Sequence, residues 1–350
     1  MKLGNRYEVR GALVLCLIAV LGASFIPRAI QAQDRPGNGP QPSPSPSPSK
    51  SATVVQQKLG TELDGPVIVN TDLITLTVTV TDTYGRYVSG LNKNAFNILE
   101  DKQPQEITFF SDDDAPASIA VVFDTSGSMS GPKIARAKEA LADFIQTGHD
   151  RDEYFLIDFD SQARLLLDRT RDGDALLRKL TYAEPHGNTA LYDAVYLGIE
   201  KLMRGAYQKR AIILVSDGED NDSRYSLSEL RRSLRESDVT IYAIGVSTNF
   251  LPRKGSLNGR ETLEELASVS GGKAFFPSAA SEMIEAFERI ALELRHLYSI
   301  GYRPSSLTQN GEWHHLKVKV APTVAFPRLF VRSREGYYAG AGLSANQQQP

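Results

Sequence analysis

Between residues 118 and 297, apolar segments of strand length alternate with segments of helical periodicity. Residues 118–123 and 211–215 are apolar runs of strand length, whereas apolar side chains recur at helical spacing in residues 133–145. The same patterns predict further strands at 154–159, 163–167, 239–246 and 273–276, and further helices at 189–203, 227–235, 262–269 and 281–297. This alternation indicates an α/β fold with a doubly wound, mainly parallel sheet covered on both faces.

The segments on either side of this region contain strand patterns without helices. Ile74, Leu76, Val78 and Val80 alternate with threonines, which is typical of a half-buried strand. Further strands are predicted at 86–88, 95–100 and 105–110, around a turn at 101–104, and again at 298–302, 314–320 and 329–333. We expect the two groups of strands to form one flanking antiparallel, sandwich-like domain, with the α/β domain inserted between them.

The first 63 residues have a composition unlike the rest of the chain. Basic residues precede an apolar run at 11–26, and Ala32 ends a short small-residue motif, so residues 1–32 are predicted to be a secretory signal peptide. An uncleaved N-terminal anchor is the alternative, although the run is shorter than a typical membrane span. Residues 33–63 are rich in proline and serine and are predicted to be a disordered linker. The remaining boundaries are expected at 64–115 for the N-terminal β segment, 116–297 for the α/β domain, 298–340 for the C-terminal β segment and 341–350 for a disordered tail.

Composition excludes several classes of protein. The chain has 39 Lys and Arg residues against 42 Asp and Glu, without a basic block, so nucleic acid is not an expected partner. The single cysteine, Cys16, lies in the predicted signal and cannot form an intramolecular disulfide. The histidines do not take zinc-site spacings, so any metal is expected to have oxygen ligands.

Three polar segments follow or precede predicted elements in a way that places them at one edge of the sheet. Asp124-x-Ser126-x-Ser128 follows the strand at 118–123, Thr189 opens a helix, and Asp217 follows the strand at 211–215. The carboxyl ends of parallel strands meet at one edge, so these five residues are predicted to supply an oxygen-only site for Mg²⁺ or Mn²⁺. The alternative is that the serines cap a helix and Asp217 holds a turn.

These motifs resemble the metal-ion-dependent adhesion site (MIDAS) of the von Willebrand factor type A (VWA) domain. The resemblance implies that the ion, Mg²⁺ or else Mn²⁺ or Ca²⁺, is bound by Ser126, Ser128 and either Thr189 or an aspartate, with the other groups acting through water. It also implies a protein partner that donates a Glu or Asp side chain to the ion. The whole segment from residue 70 to 339 is similar to a bacterial exported VWFA-related subgroup common in Acidobacteria.

Other chemistry is less well supported. Met129 stands where a hydrolase elbow needs its nucleophile, and no catalytic residue is predicted. His314 and His315 should point to opposite faces of a strand, and the acidic residues Glu219, Asp220 and Asp222 are interpreted as a solvated loop rather than a second cation site. The function predicted is a non-enzymatic exported adhesion or protein-interaction module, periplasmic or at the cell surface. The alternative is a structural or assembly component of the cell envelope with a purely stabilising metal.

Overall fold

The computed structural model describes residues 73–246, 259–304, 311–324 and 326–339, all of which belong to one compact unit, Val67–Pro350. The predicted signal at 1–32 with Cys16, the linker at 33–63 and the tail at 341–350 lie outside these residues. No helix within the described ranges combines the length and the apolar character that a membrane crossing needs.

Eight strands outside the α/β part form two four-stranded sheets. The N-terminal strands are β1 (Ile74–Thr81), β2 (Phe96–Glu100), β3 (Gln103–Gln105) and β4 (Ile107–Ser111). The C-terminal strands are β11 (Tyr298–Tyr302), β12 (Trp313–Val320), β13 (Phe330–Arg332) and β14 (Gly336–Tyr338). One sheet has the order β13-β1-β11-β4 and the other β14-β12-β2-β3, with antiparallel pairing throughout. The expected flanking antiparallel domain built from both ends of the chain is therefore confirmed.

The two four-stranded sheets share one apolar core. Leu76 and Ile300 from one sheet and Ile98 and Leu316 from the other belong to the same buried cluster. Apolar side chains at alternate positions of β1, β2, β11 and β12 point into this cluster, as the period-two pattern of β1 predicts. The arrangement is a small β-sandwich.

Three expectations for the sandwich strands were wrong in detail. Residues 86–88 do not form a strand, since Tyr87 makes only an isolated bridge to Thr81. The predicted strand at 105–110 is split between β3 and β4, which belong to different sheets, so the chain changes sheets at Glu106. The turn predicted at 101–104 is limited to Asp101 and Lys102, both at positive φ, because β3 already begins at Gln103.

The remaining elements build the six-stranded sheet and its helices. They are β5 (Ala117–Asp124), α1 (Pro132–Gln146), β6 (Glu153–Phe159), β7 (Ala163–Thr170), α2 (Gly173–Thr181), α3 (Leu191–Met203), β8 (Lys209–Ser216), α4 (Leu227–Glu236), β9 (Val239–Gly245), α5 (Gly259–Val269), β10 (Lys273–Phe275) and α6 (Ala280–Arg295). The strand order is β10-β9-β8-β5-β6-β7, with only β7 antiparallel to its neighbour.

Helices cover both faces of this sheet. Ile119 and Val121 of β5 pack in the cluster that contains α1, α2 and α6, whereas Ala120 and Val122 pack in the cluster that contains α3, α4 and α5. Because successive side chains of a strand point to opposite faces, a strand buried on both sides is apolar throughout, which explains the continuous run at 118–123. The predicted doubly wound, mainly parallel sheet is confirmed.

The chain passes between the sandwich and the α/β part at two neighbouring places. Arg295, at the end of α6, forms ion pairs with Asp114, 3.3 Å away, and with Asp152, 3.0 Å away. Lys209, at the start of β8, donates a hydrogen bond to the carbonyl oxygen of Asp113 at 2.9 Å. The incoming and outgoing segments are thus fixed to the same end of the six-stranded sheet, where β5 and β8 begin.

Candidate metal centre

Asp124, the first predicted site residue, lies at the edge of the six-stranded sheet where β5 and β8 end. β5 ends at Asp124, and its neighbour β8 ends at Ser216, with Phe123 opposite Val215 in the parallel register. The carboxylate of Asp124 accepts a hydrogen bond from the hydroxyl of Ser216 at 2.6 Å and one from the backbone N–H of Ser126 at 2.8 Å. These two bonds fix the orientation of the carboxyl group at the end of the strand.

Asp124 is completely buried and has an unusual electrostatic environment. Burial raises the pKa of its carboxyl group to about 6, and the negative charge of Asp217 adds to the shift, while the hydrogen bonds from Ser126 and Ser216 oppose it. No Lys, Arg or His among the described residues forms an ion pair with either aspartate. Asp124 therefore lies in a dry position with the charge of Asp217 acting on it, and no basic residue in the described ranges pairs with either carboxylate.

Ser126 and Ser128 lie in a short turn between β5 and α1. Ser126 has an extended backbone, a 3-10 turn covers Gly127–Met129, and the fully buried side chain of Met129 anchors this turn to the core. The hydroxyl oxygens of the two serines are 3.0 Å apart. Ser126 is buried, whereas Ser128 is exposed, so the pair extends from the Asp124 carboxylate towards solvent.

These serines do not cap the following helix. α1 begins at Pro132, its N-cap is Gly131, and no side chain caps it. The capping alternative considered for the motif thus has no support in the geometry, and the hydroxyls are available for another role. Pro132 at the first helical position has no N–H, so this helix start has one unpaired backbone donor fewer.

The segment that contains Thr189 is bound to this turn through the backbone. The N–H of Gly127 donates to the carbonyl oxygen of Gly187 at 3.1 Å, and Thr189 is buried two residues before α3 begins. Gly187 has φ of 72°, a conformation that favours glycine. The bond positions the loop at residues 187–189 beside Ser126 and Ser128.

The loop after β8 holds Thr189 from the other side. The side-chain oxygen of Asn221 accepts a hydrogen bond from the N–H of Thr189 at 2.9 Å. The N–H of Asn221 donates a second hydrogen bond to the carbonyl oxygen of Thr189 at 2.9 Å. Asp217, at the start of this loop, is half-buried and accepts a bond from the N–H of Glu219 at 3.2 Å. All three predicted segments are therefore tied together at the carboxyl edge of the sheet.

Sequence reasoning missed two residues that organise this edge. Ser216 bonds Asp124 and also accepts a hydrogen bond from the N–H of Gly218 at 2.9 Å, and Asn221 clamps Thr189. Ser216 stands directly before Asp217 at the end of a buried strand, and a polar residue in that position is a signal that could have identified it. Asn221 carries no comparable signal, because its partner is 32 residues away in the chain.

An open doubly wound sheet with polar residues at the carboxyl ends of neighbouring strands defines an α/β domain with a binding edge. The family model of the von Willebrand factor type A domain matches residues 118–289, which run from β5 into α6. The chain contains a von Willebrand factor type A domain.

Two relatives indicate how far the similarity extends in sequence. The uncharacterized protein sll0103 of Synechocystis sp. is 24% identical over 182 residues, which cover 50% of this chain and 41% of that protein. Inter alpha-trypsin inhibitor, heavy chain 4, of Mus musculus is 27% identical over 197 residues, which cover 49% of this chain and 21% of that protein. The chain thus matches less than half the length of these relatives.

Solved structures of low sequence identity align with parts of this chain. The von Willebrand factor type A structure from Catenulispora acidiphila is 13% identical, covers 76% of this chain and 75% of that chain, and gives a TM-score of 0.45. The vWF domain of the type V pili tip protein Mfa5 from Porphyromonas gingivalis is 14% identical, covers 50% and 94% of the two chains, and gives a TM-score of 0.41.

Proposed function

We propose that this chain is an exported, non-enzymatic protein-binding module whose partner is recognised through a divalent cation at the carboxyl edge of the six-stranded sheet. The observation that supports the proposal most directly is the buried Asp124 carboxylate, which has Asp217 as a charged neighbour and no basic partner among the described residues. Two adjacent carboxylates in a desolvated site repel each other, and a bound cation relieves this cost.

The donor set fits a hard divalent cation. Asp124, Ser126, Ser128, Thr189 and Asp217 offer carboxylate and hydroxyl oxygens, which suit Mg²⁺, Mn²⁺ or Ca²⁺ rather than a softer ion. Ser126 and Ser128 present their hydroxyls 3.0 Å apart, and Ser216 and the N–H of Ser126 hold the Asp124 carboxyl group in place. We assign these five residues as the metal-binding residues.

The arrangement also supports recognition of an acidic group. A bound cation with hydroxyl ligands keeps a high affinity for anionic oxygen, so it would attract a carboxylate of a partner protein. Residues around the serine pair are accessible for such a contact, since Gly127, Ser128, Gly187 and Asn188 are exposed. The buried members, Asp124 and Thr189, would orient the site while the exposed members meet the partner.

Metal binding can be tested on the full chain. Mn²⁺ and Mg²⁺ are titrated into the wild type, Asp124→Ala and the control Asp174→Ala, whose exposed aspartate lies on α2. We expect saturable binding in the wild type and the control and its loss in Asp124→Ala. Equal binding in all three proteins would contradict the assignment.

Partner binding is a separate measurement. The wild type and the two variants are used to capture proteins from an envelope extract with and without EDTA. A partner retained by the wild type and Asp174→Ala, and lost with Asp124→Ala or EDTA, supports the interaction module. If metal instead raises the melting temperature and no retained protein depends on it, the alternative of a structural envelope component with a stabilising metal is correct.

A further inference from the structure

One end of the β-sandwich holds a second group of ionisable side chains, which lies on strands outside the six-stranded sheet and includes a histidine. Glu100 ends β2, Asp101 lies in the turn to β3, and His314 is the second residue of β12. One nitrogen or oxygen atom from each of the three lies within 4.8 Å of the others. We propose that these three residues form a site for a divalent transition-metal ion of the Zn²⁺ type.

Strand register brings the three residues together. Leu316 is opposite Glu100 in the β2–β12 pair, and His314 is two positions away on the same face of β12. Successive side chains alternate between faces, so His314 and Glu100 both face the interior of the sandwich, as the buried Leu316 does. His315 points the other way and is exposed, as the sequence predicts.

The distances suit a small ion. The Nδ1 atom of His314 is 3.3 Å from Oε1 of Glu100 and 2.8 Å from Oδ2 of Asp101. Ligands of a tetrahedral ion with bonds of about 2.0–2.2 Å are separated by about 3.3–3.6 Å, so the first distance fits and the second needs a small widening. Asp101 is about half exposed, so a small rotation of its carboxyl group meets little steric resistance.

The charges of the group are unbalanced without a cation. The group contains two acidic side chains, Glu100 and Asp101, and one basic side chain, His314. A divalent ion with a neutral imidazole neutralises both. One imidazole and two carboxylates are also a ligand set that Zn²⁺ and related ions accept, with a further position left for water.

The buried carboxylate supplies an independent indication. Glu100 is 4% exposed, and its Oε2 atom and the hydroxyl of the neighbouring Tyr302 are both buried without a hydrogen bond of normal length among the described residues. Its Oε1 atom accepts a hydrogen bond from the hydroxyl of Tyr337 at 2.9 Å. A buried carboxylate oxygen without a donor is costly, so an ion bound there would stabilise the native state.

Neighbouring groups hold the ligands in place. The His314 ring stacks on Tyr337 with centroids 5.3 Å apart. The other carboxylate oxygen of Asp101 accepts the N–H of His315 at 2.9 Å, and the N–H of Asp101 donates to the His315 carbonyl oxygen at 2.9 Å. Such supporting contacts fix the orientation of metal ligands in known sites.

The experiment uses the full chain without a polyhistidine tag and with Asp124→Ala, so that the site proposed above on the six-stranded sheet does not contribute. Zn²⁺ is titrated by calorimetry, and Co²⁺ is titrated as a spectroscopic substitute. We expect saturable binding of about one ion per chain and a visible Co²⁺ band that Zn²⁺ displaces. Because this background already lacks Asp124, the outcome does not depend on the proposed function.

Variants of adjacent histidines provide the decisive comparison. In the same background, His314→Gln should weaken Zn²⁺ binding at least ~10-fold, whereas the matched control His315→Gln should leave it unchanged. Asp101→Asn, in the exposed turn, should also weaken Zn²⁺ binding. This variant tests the same site if His314→Gln does not fold. Absence of Zn²⁺ binding, or equal affinity in His314→Gln, Asp101→Asn and the control, would overturn the proposal and leave a histidine in polar contact with two carboxyl groups.

Discussion

The carboxylate of Glu293 on α6 accepts a hydrogen bond from the hydroxyl of Tyr242 on β9, 2.9 Å away, and both side chains are fully buried. The same carboxylate accepts bonds from Thr79 at 2.8 Å and Tyr87 at 3.0 Å and forms an ion pair with Arg332. Because those three residues belong to the sandwich or its connections, a single buried carboxylate joins the sandwich to the type A domain.

Removal of this carboxylate should strongly destabilise the protein. Glu293→Ala leaves the partly buried Arg332 and the hydroxyls of Thr79 and Tyr242 without this acceptor. Breaking one partner of a buried pair costs about 3–5 kcal/mol. Urea unfolding at neutral pH measures the loss. The control Glu288→Ala, at an exposed position of α6, should change the free energy of unfolding by less than about 0.5 kcal/mol. A loss below 1 kcal/mol in Glu293→Ala would contradict the importance of the network.

The same network predicts a loss of stability in alkali. Burial and the charge of Glu293 raise the pKa of Tyr242 well above its ordinary value of 10.0. The unfolded chain therefore releases this proton first, so the contribution is fully present below about pH 10 and declines as the pH rises further. Unfolding free energies measured from about pH 9 to about pH 11 should fall less steeply for Tyr242→Phe than for the wild type. The exposed Tyr182→Phe is the control, and parallel curves for all three proteins would contradict the prediction.

Ser216 should affect cation binding without being a ligand. Its hydroxyl orients the Asp124 carboxylate and accepts the N–H of Gly218, so Ser216→Ala leaves the carboxyl group less well positioned. Loss of a supporting contact of this kind weakens metal affinity by about 10–100-fold. Mn²⁺ titration is the measurement, with Ser268→Ala on the exposed side of α5 as control. Equal Mn²⁺ affinity in both variants would exclude a positioning role.

Two constraints favour glycine at position 218, the backbone conformation and the nearby Gly259, and two variants can separate them. It has φ of 83°, and a Cβ atom there would lie inside contact distance of the Gly259 carbonyl oxygen at the start of α5. Gly218→Ala should lower the free energy of unfolding by more than the roughly 1–3 kcal/mol that the backbone conformation alone costs. Gly90→Ala tests that conformational cost by itself, since Gly90 has φ of 75° and open space around it. Similar losses in the two variants, measured by urea unfolding, would show that the contact with Gly259 is unimportant.

Sequence patterns predicted the strands that are buried at every position and the helices that bury one face at regular spacing. The run at 118–123 became β5 because both faces of that strand are covered, and the predicted helix at 281–297 became α6 with a shift of one or two residues at its ends. α2 was not predicted. It is only nine residues long and buries just Leu176 and Leu180, which is too little to establish a helical period.

Polar residues were predicted less completely. The motif residues Asp124, Ser126 and Ser128 are local in sequence, so their spacing identified them, and the structure brings their segment beside those of Thr189 and Asp217. Glu293 lies 214 residues from Thr79, and an isolated glutamate in an amphipathic helix has no pattern that reveals a buried partner at that separation. Long-range polar contacts of this kind depend on the packing of complete domains.

The neighbouring entry and exit of the type A domain determine how the chain would carry load. β4 leads into the domain and β11 leads out of it, and these strands pair directly, with Ser111 opposite Ser299. A pulling force applied to the chain outside the inserted domain is therefore resisted by the hydrogen bonds between sandwich strands. The inserted domain itself does not carry this force. The loops at the carboxyl edge of the six-stranded sheet would keep their shape under a pull that strains the sandwich, until the pairing of β4 with β11 ruptures.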